Sequence, residues 1–166
     1  MKTLSFTALL LFSCFVILFS CKKKVEPPDP HQNAFAAKVN GVSFVPNEIS
    51  LARGNYMSSP AFFLWSRDAD NRVVQVIMKD YASSSKSATI DTTISSGAAA
   101  DFEEGVGAYY FRRGLSGNLT ISKVDKTTYT NGEVVSGTFE FVTEKGIVTP
   151  SSHAITEGKF SVFLPK

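Results

Sequence analysis

Two stretches decide the fold: Val134-Val135-Ser136-Gly137-Thr138-Phe139-Glu140-Phe141-Val142 and Gly158-Lys159-Phe160-Ser161-Val162-Phe163-Leu164. Both repeat with period two. Phe139 and Phe141 fall on one face and Thr138 and Glu140 on the other. Phe160, Val162 and Leu164 likewise share a face. Period-two alternation of large apolar with polar residues is the pattern of a strand buried on one side. The two strands are expected to pair with their phenylalanines in one core, each buried Phe contributing about 1.5–3 kcal/mol.

The same period runs outward from them. Phe35, Ala37 and Val39 alternate with Ala36 and Lys38, and Asn40-Gly41 separates them from Val42-Ser43-Phe44. Asn-Gly between alternating runs predicts a type I′ hairpin, because both central residues of that turn need φ > 0. Residues 48–53 read as a third strand ended by Gly54-Asn55. Residues 61–66 and 72–79 read as a second hairpin around the polar loop 67–71. Residues 83–100, rich in Ser, Thr and Ala, read as a long surface loop with one edge strand near 88–91. Residues 101–107 read as a polar turn. Further strands are expected over 108–113, 117–124, 134–143 and 158–164. No helical period holds for three turns. The expectation is an all-β domain over residues 34–166, an antiparallel sandwich of nine to ten strands, with a closed or partly open barrel as the alternative.

Ahead of this body the composition changes. Met1-Lys2-Thr3 is followed by an apolar run to Phe19, then Ser20-Cys21 and Lys22-Lys23-Lys24. A charged start, an apolar core and a small residue before a break predict a secretory signal over residues 1–20. Leu18-Phe19-Ser20-Cys21 resembles the lipobox of bacterial lipoproteins, which implies cleavage before Cys21 and its lipidation. Two or three acyl chains give stable attachment at about 0.8 kcal/mol per buried CH₂. The same tetrapeptide at residues 11–14 leaves too short an apolar core behind it. Residues 21–33, with Pro27, Pro28, Pro30 and His31, read as an extended tether.

The charge balance excludes whole function classes. The chain has 17 basic and 15 acidic residues, but Lys2 and Lys22 to Lys24 precede the body, so from Val25 onward 13 basic residues face 15 acidic ones. That is no nucleic-acid-binding surface. The two cysteines, Cys14 and Cys21, both lie at the N-terminal end, so the body has neither a disulfide framework nor a Cys-ligated zinc site.

The order of motifs resembles a known group. A lipobox, Ala-Lys-Val-Asn-Gly-Val-Ser-Phe at 37–44, Ser-Gly-Thr-Phe-Glu-Phe at 136–141 and Glu-Gly-Lys-Phe-Ser-Val at 157–162 are similar to the motifs of small Bacteroidetes lipoproteins of unknown function, the DUF6252 type. The resemblance spans residues 34–166. It implies an exported all-β domain and supplies no activity or site residues.

Chemistry-bearing groups are sparse. Gly114-Leu115-Ser116-Gly117 is not a nucleophile elbow, and His153, the only histidine of the body, reads as a solvated loop residue. Asp68-Ala69-Asp70-Asn71 offers three oxygen side chains in a hairpin tip, a polar loop first and a weak calcium site second. Asp101, Glu103 and Glu104 read as a solvated turn rather than a glycosidase pair. No catalytic residue, metal or cofactor is expected. Trp65 and the Ala108-Tyr109-Tyr110-Phe111 run remain as recognition candidates, with Trp65 and Tyr110 as ligand-binding aromatics if they are not core. Asp91-Thr92-Thr93 resembles the acceptor sequence of Bacteroidetes protein O-glycosylation, with Thr92 as the modified residue. The expectation is a non-enzymatic binding or accessory module held to the membrane by lipid, its partner a glycan or an envelope protein. The outer membrane is its expected place, with Lys22 to Lys24 favouring the periplasmic face. The alternatives are a structural subunit that uses the Ser/Thr-rich strand edge, and, with least support, a hydrolase.

Overall fold

The computed structural model describes residues 33–82, 84–92, 97–105, 111–146 and 151–166. Cys21, Tyr110, the signal segment and the tether up to residue 32 lie outside the described residues. Among the described residues ten strands form: β1 (Ala34–Val39), β2 (Val42–Phe44), β3 (Pro46–Tyr56), β4 (Ser59–Asp68), β5 (Val73–Lys79), β6 (Lys86–Asp91), β7 (Gly97–Glu103), β8 (Arg112–Asp125), β9 (Gly132–Thr143) and β10 (Ala154–Pro165). They make one sheet in the order β2-β1-β10-β9-β8-β6-β7-β5-β4-β3, with β7 also pairing β8.

The all-β reading and the strand number hold. Of the two architectures, the structure is the barrel: one mixed sheet, nearly closed, rather than two stacked sheets. The chain itself spans the gap between the sheet's ends. β2 lies at one end of the order and β3 at the other, with only Val45 between them. Pro46 has no N–H to donate, so it begins an edge strand instead of prolonging β2. Arg53 of β3 reaches across the same seam to the Pro165 carbonyl at 3.0 Å.

One apolar interior fills the barrel. Phe139, Phe141 and Phe160 are buried together, as the alternation requires, with ring centroids 6.3 Å (Phe139–Phe141) and 6.4 Å (Phe139–Phe160) apart. The glycines of the two motifs explain how three phenylalanines fit. Phe160 pairs with Gly137, and Gly158 with Phe139, across β9 and β10. A Cβ on Gly137 would lie 2.6 Å from Phe160 Cζ, and one on Gly158 would lie 2.6 Å from Phe139 Cδ2. Each ring thus lies over the other strand's glycine, the small-against-large filling a narrow barrel needs. At the first hairpin Asn40 (φ 50°) and Gly41 (φ 81°) both take positive φ, as expected of a type I′ turn.

Several boundaries differ from the sequence reading, β10 among them, which begins at Ala154. β3 continues through Gly54 and Asn55, and the turn falls at Met57 (φ 48°) and Ser58 (φ 68°). Gly54 is there because the Phe63 ring passes 3.2 Å from where its Cβ would be, not because the chain turns. Residues 83–100 are not one surface loop. β6 pairs antiparallel with β8 along Lys86 to Asp91 and parallel with β7 at Thr89 and Ile90, so the Ser/Thr-rich segment lies inside the sheet order rather than at its edge. Its small neighbours are what the junction demands. Where β6, β7 and β8 converge, a Cβ on Gly114 would lie 2.8 Å from Ile90 Cγ2 and 3.3 Å from Ala100 Cβ. Asp101 and Glu103 belong to β7 rather than to a turn, and β8 is one 14-residue strand with irregular register at Leu115 and Ser122.

After β8, Asp125 organises the chain toward β9. Its carboxylate accepts from the Thr128 hydroxyl and from the backbone N–H groups of Thr127 and Thr128. These bonds, Thr128's hydroxyl foremost, hold its pKa down to about 2.

Candidate functional site

The buried side chains of one large apolar cluster fill the described interior, and the outer face carries the polar and aromatic groups that follow. Alternation on β4 turns Leu64 and Ser66 inward and Phe63, Trp65 and Arg67 outward. Strand pairing then sets a row across four strands: Trp65 beside Gln75, Gln75 beside Asp101, and Asp101 beside Arg113. At about 4.8 Å per strand the row spans roughly 14 Å. Arg67 lies over the Trp65 ring, 4.8 Å from its centroid, a cation–π contact that fixes the indole on the surface.

The Asp101–Arg113 end of the row opens into a hollow of about 220 Å³. Its walls are Tyr56, Asp91, Thr92, Asp101, Phe111 and Arg113, over Ala99 and Ala100. Phe111 is half exposed, at 50%. Beside the hollow, Tyr56 and Phe63 pack with Ala61, Ile77 and Ala99 in a small apolar cluster separate from the interior. Burial pushes the Asp101 carboxyl above its ordinary value. The Arg113 guanidinium opposes that shift and Glu144 adds to it. A carboxyl raised in the folded state favours the fold below its unfolded value, near 3.8, and this contribution is lost as pH rises through the folded value. Asp101→Asn is therefore expected to raise the urea midpoint at pH 7 and to give no gain at pH 3. Paired unfolding curves at the two pH values check this, and an equal gain at both would remove Asp101's ionisation as the cause.

Of the sequence candidates, Trp65 lies on this outer face and Thr92 in the wall of the hollow. Thr92 is partly buried rather than on an open loop. Tyr110 lies outside the described residues. Phe111, of the aromatic run, also lines the hollow, as does Tyr56. Gln75, Asp101 and Arg113 carry no sequence signal as partners, because only the pairing of β5, β7 and β8 brings them into register.

The other candidates are committed to structure. Asp68 is buried and accepts from the backbone N–H groups of Asp70 (3.0 Å) and Arg72 (2.9 Å) and from Arg72 Nε (2.7 Å), so the hairpin tip uses up its first calcium ligand. Among the described residues no three His, Cys, Asp or Glu side chains gather as metal ligands. Gly114 to Gly117 lie within β8.

His153 is not solvated. Its side chain is 12% exposed and packs against Phe102, ring centroids 4.9 Å apart. Its backbone N–H donates to Thr143 Oγ1. Asn40 Oδ1 accepts the Ala154 N–H at 2.8 Å, which turns Asn40 Nδ2 toward His153 Nδ1 at 3.0 Å. Nδ1 therefore accepts and Nε2 carries the proton. Nε2 lies 2.6 Å from Glu104 Oε1, near in distance but not aligned as a hydrogen bond. Glu104 also pairs with buried Arg112, which donates to the Ser151 carbonyl. Glu104, expected in a solvated turn, is thus part of a clamp joining three connections at one end of the barrel.

Comparisons with protein-family models, curated proteins and solved structures found no match to this chain.

Proposed function

We propose that this chain is a lipid-anchored protein of the bacterial envelope, a non-enzymatic module that binds a glycan on the outer face of its barrel. The anchor rests on Leu18-Phe19-Ser20-Cys21, with Cys21 as the acylated residue, and the tether holds the barrel off the membrane. Lys22 to Lys24 favour the periplasmic face of the outer membrane. The observation that carries the binding reading is the row Trp65–Gln75–Asp101–Arg113 leading into the hollow. It sets an indole, one face of which Arg67 covers, beside an amide, a carboxylate and a guanidinium, a mixture suited to the apolar and hydroxyl edges of a sugar chain. Among the described residues, the groups around His153 are turned on one another, which gives the catalytic reading no support there.

The structural-subunit reading keeps one supporting observation. Val42 and Val45 are 62% and 73% exposed at the corner where the two sheet ends meet, which moves the assembly edge from the Ser/Thr-rich segment to β2 and β3.

Two measurements test the proposal. Intact mass of the native protein should show a chain beginning at acylated Cys21, and Cys21→Ala should leave an unprocessed precursor. A native N-terminus at Met1 without acyl mass removes the anchor. In affinity electrophoresis through gels containing neutral polysaccharides, the protein should be retarded and Trp65→Ala should run free. No retardation in any gel, or retardation indifferent to Trp65, removes the glycan-binding face.

A further inference from the structure

Asp101 and Arg113 face each other across β7 and β8 and share the hollow with Tyr56, Asp91, Thr92 and Phe111. Resting on the glycan-binding reading above, we infer that this hollow seats one neutral hydroxylated sugar ring of the glycan, and discriminates against acidic sugars.

Size sets the first limit. About 220 Å³ lies below the ~300–1,000 Å³ of pockets that enclose drug-sized ligands. At a water's share of ~30 Å³ it is the space of about seven waters, enough for one ring and not for two. The rest of a chain would lie outside the hollow, along the row toward Gln75 and Trp65, two strands or roughly 10 Å from Asp101.

Charge sets the second. The walls carry two carboxyl groups, Asp91 and Asp101, and one guanidinium, Arg113. A sugar acid would bring its carboxylate against both aspartates. Two carboxyl groups against one guanidinium leave the walls short of positive charge, which disfavours an anion. A hydroxyl suits both partners at once, because it donates to a carboxylate oxygen and accepts from a guanidinium N–H. The Thr92 and Tyr56 hydroxyls can act as donor or acceptor and so adapt to the ring's remaining edge. Phe111 supplies an apolar surface for the C–H face of the ring. Burial as the main cause of Asp101's raised pKa also fits, since a carboxyl stripped of water gains when a ligand hydroxyl replaces that water.

The test is saturation-transfer NMR on the purified full-length chain in a sugar-free detergent. Methyl β-glucopyranoside, methyl β-galactopyranoside and methyl α-mannopyranoside serve as neutral probes, glucuronate as the acidic one. At least one neutral glycoside should receive saturation, and glucuronate should not match it. Arg113→Ala and Thr92→Val should each weaken that binding about tenfold or more, the loss of one good hydrogen bond, with the fold retained. Trp65→Ala should leave monosaccharide binding intact while abolishing retardation by polysaccharide. Preference for glucuronate, failure of all three neutral probes, or binding that survives both hollow variants overturns the inference. If polysaccharide retardation still depends on Trp65 in those cases, the binding face stands and only the role of the hollow falls. Loss of both brings down the two together.

Discussion

Phe160→Ala should remove about 3–5 kcal/mol of stability, the usual range for emptying a packed aromatic site. That is a large share of the ~5–15 kcal/mol a domain possesses. The upper part of the range is expected here for two reasons. The ring is 4% exposed and stands between two parts of the barrel wall, 6.4 Å from Phe139 of β9 and 6.0 Å from Phe62 of β4. Its cross-strand partner is Gly137, which has no side chain to move into the space. The reciprocal change, Gly137→Ala, should cost about 1–3 kcal/mol by overpacking, because the new Cβ would lie 2.1 Å from the Thr120 carbonyl oxygen as well as against the Phe160 ring. Urea unfolding of the two variants beside the parent measures both. A Phe160→Ala loss below about 1 kcal/mol would contradict the burial of this face.

What could be read from the sequence and what could not divides along a physical line. β9 and β10 were legible because large apolar and polar residues alternate within each strand, so neither needed knowledge of its neighbours. Asn40-Gly41 was legible because the turn chemistry is local. Gly54 misled for the same reason: a glycine in a strand reads as a break, whereas this one is fixed by a ring on the neighbouring strand. The turn that does follow uses Met57 and Ser58, two residues with no turn signature. Ala98 and Ala100 read as loop composition, yet their smallness answers to the convergence of three strands. The choice of barrel over sandwich turned on where the chain crosses between sheet ends at Val45, which periodicity does not encode. The candidate site fared similarly. Trp65 could be singled out as an aromatic in a strand, but Asp101 and Arg113 become its neighbours only because β5 pairs with β7 and β7 with β8. His153 seemed alone because Asn40, Glu104 and Arg112 are far from it in sequence.

Arg53→Ala should open the barrel's seam. Arg53 Nη2 lies 2.5 Å from Glu133 Oε1, and Nη1 donates to the Pro165 carbonyl, so one guanidinium ties β3 to the start of β9 and the end of β10. Glu133 is buried and also accepts from the Tyr81 hydroxyl at 2.8 Å. Losing one partner of a fully buried pair typically costs 3–5 kcal/mol, because a charge is left in a poorly solvated place. Arg53's side chain is 35% exposed, so water can take up part of its role and the expected cost falls to about 2 kcal/mol. Arg53→Lys should recover only part of this, since an ammonium on a flexible stem does not reproduce the fork that holds Glu133 and Pro165 together. Arg53→Met combined with Glu133→Gln should recover more than Arg53→Met alone, because the stranded charge is then gone. Hydrogen exchange distinguishes a seam from a general loss of stability. Amides at the C-terminal ends of β3 and β10 should exchange faster in Arg53→Ala, while those of β8 and β9 around Leu119 and Phe139, deep in the paired sheet, keep their protection relative to global unfolding. A variant with unchanged melting temperature and unchanged exchange at these ends would show that the barrel closes without Arg53, through the Val45 crossing and the interior packing of Phe44 alone.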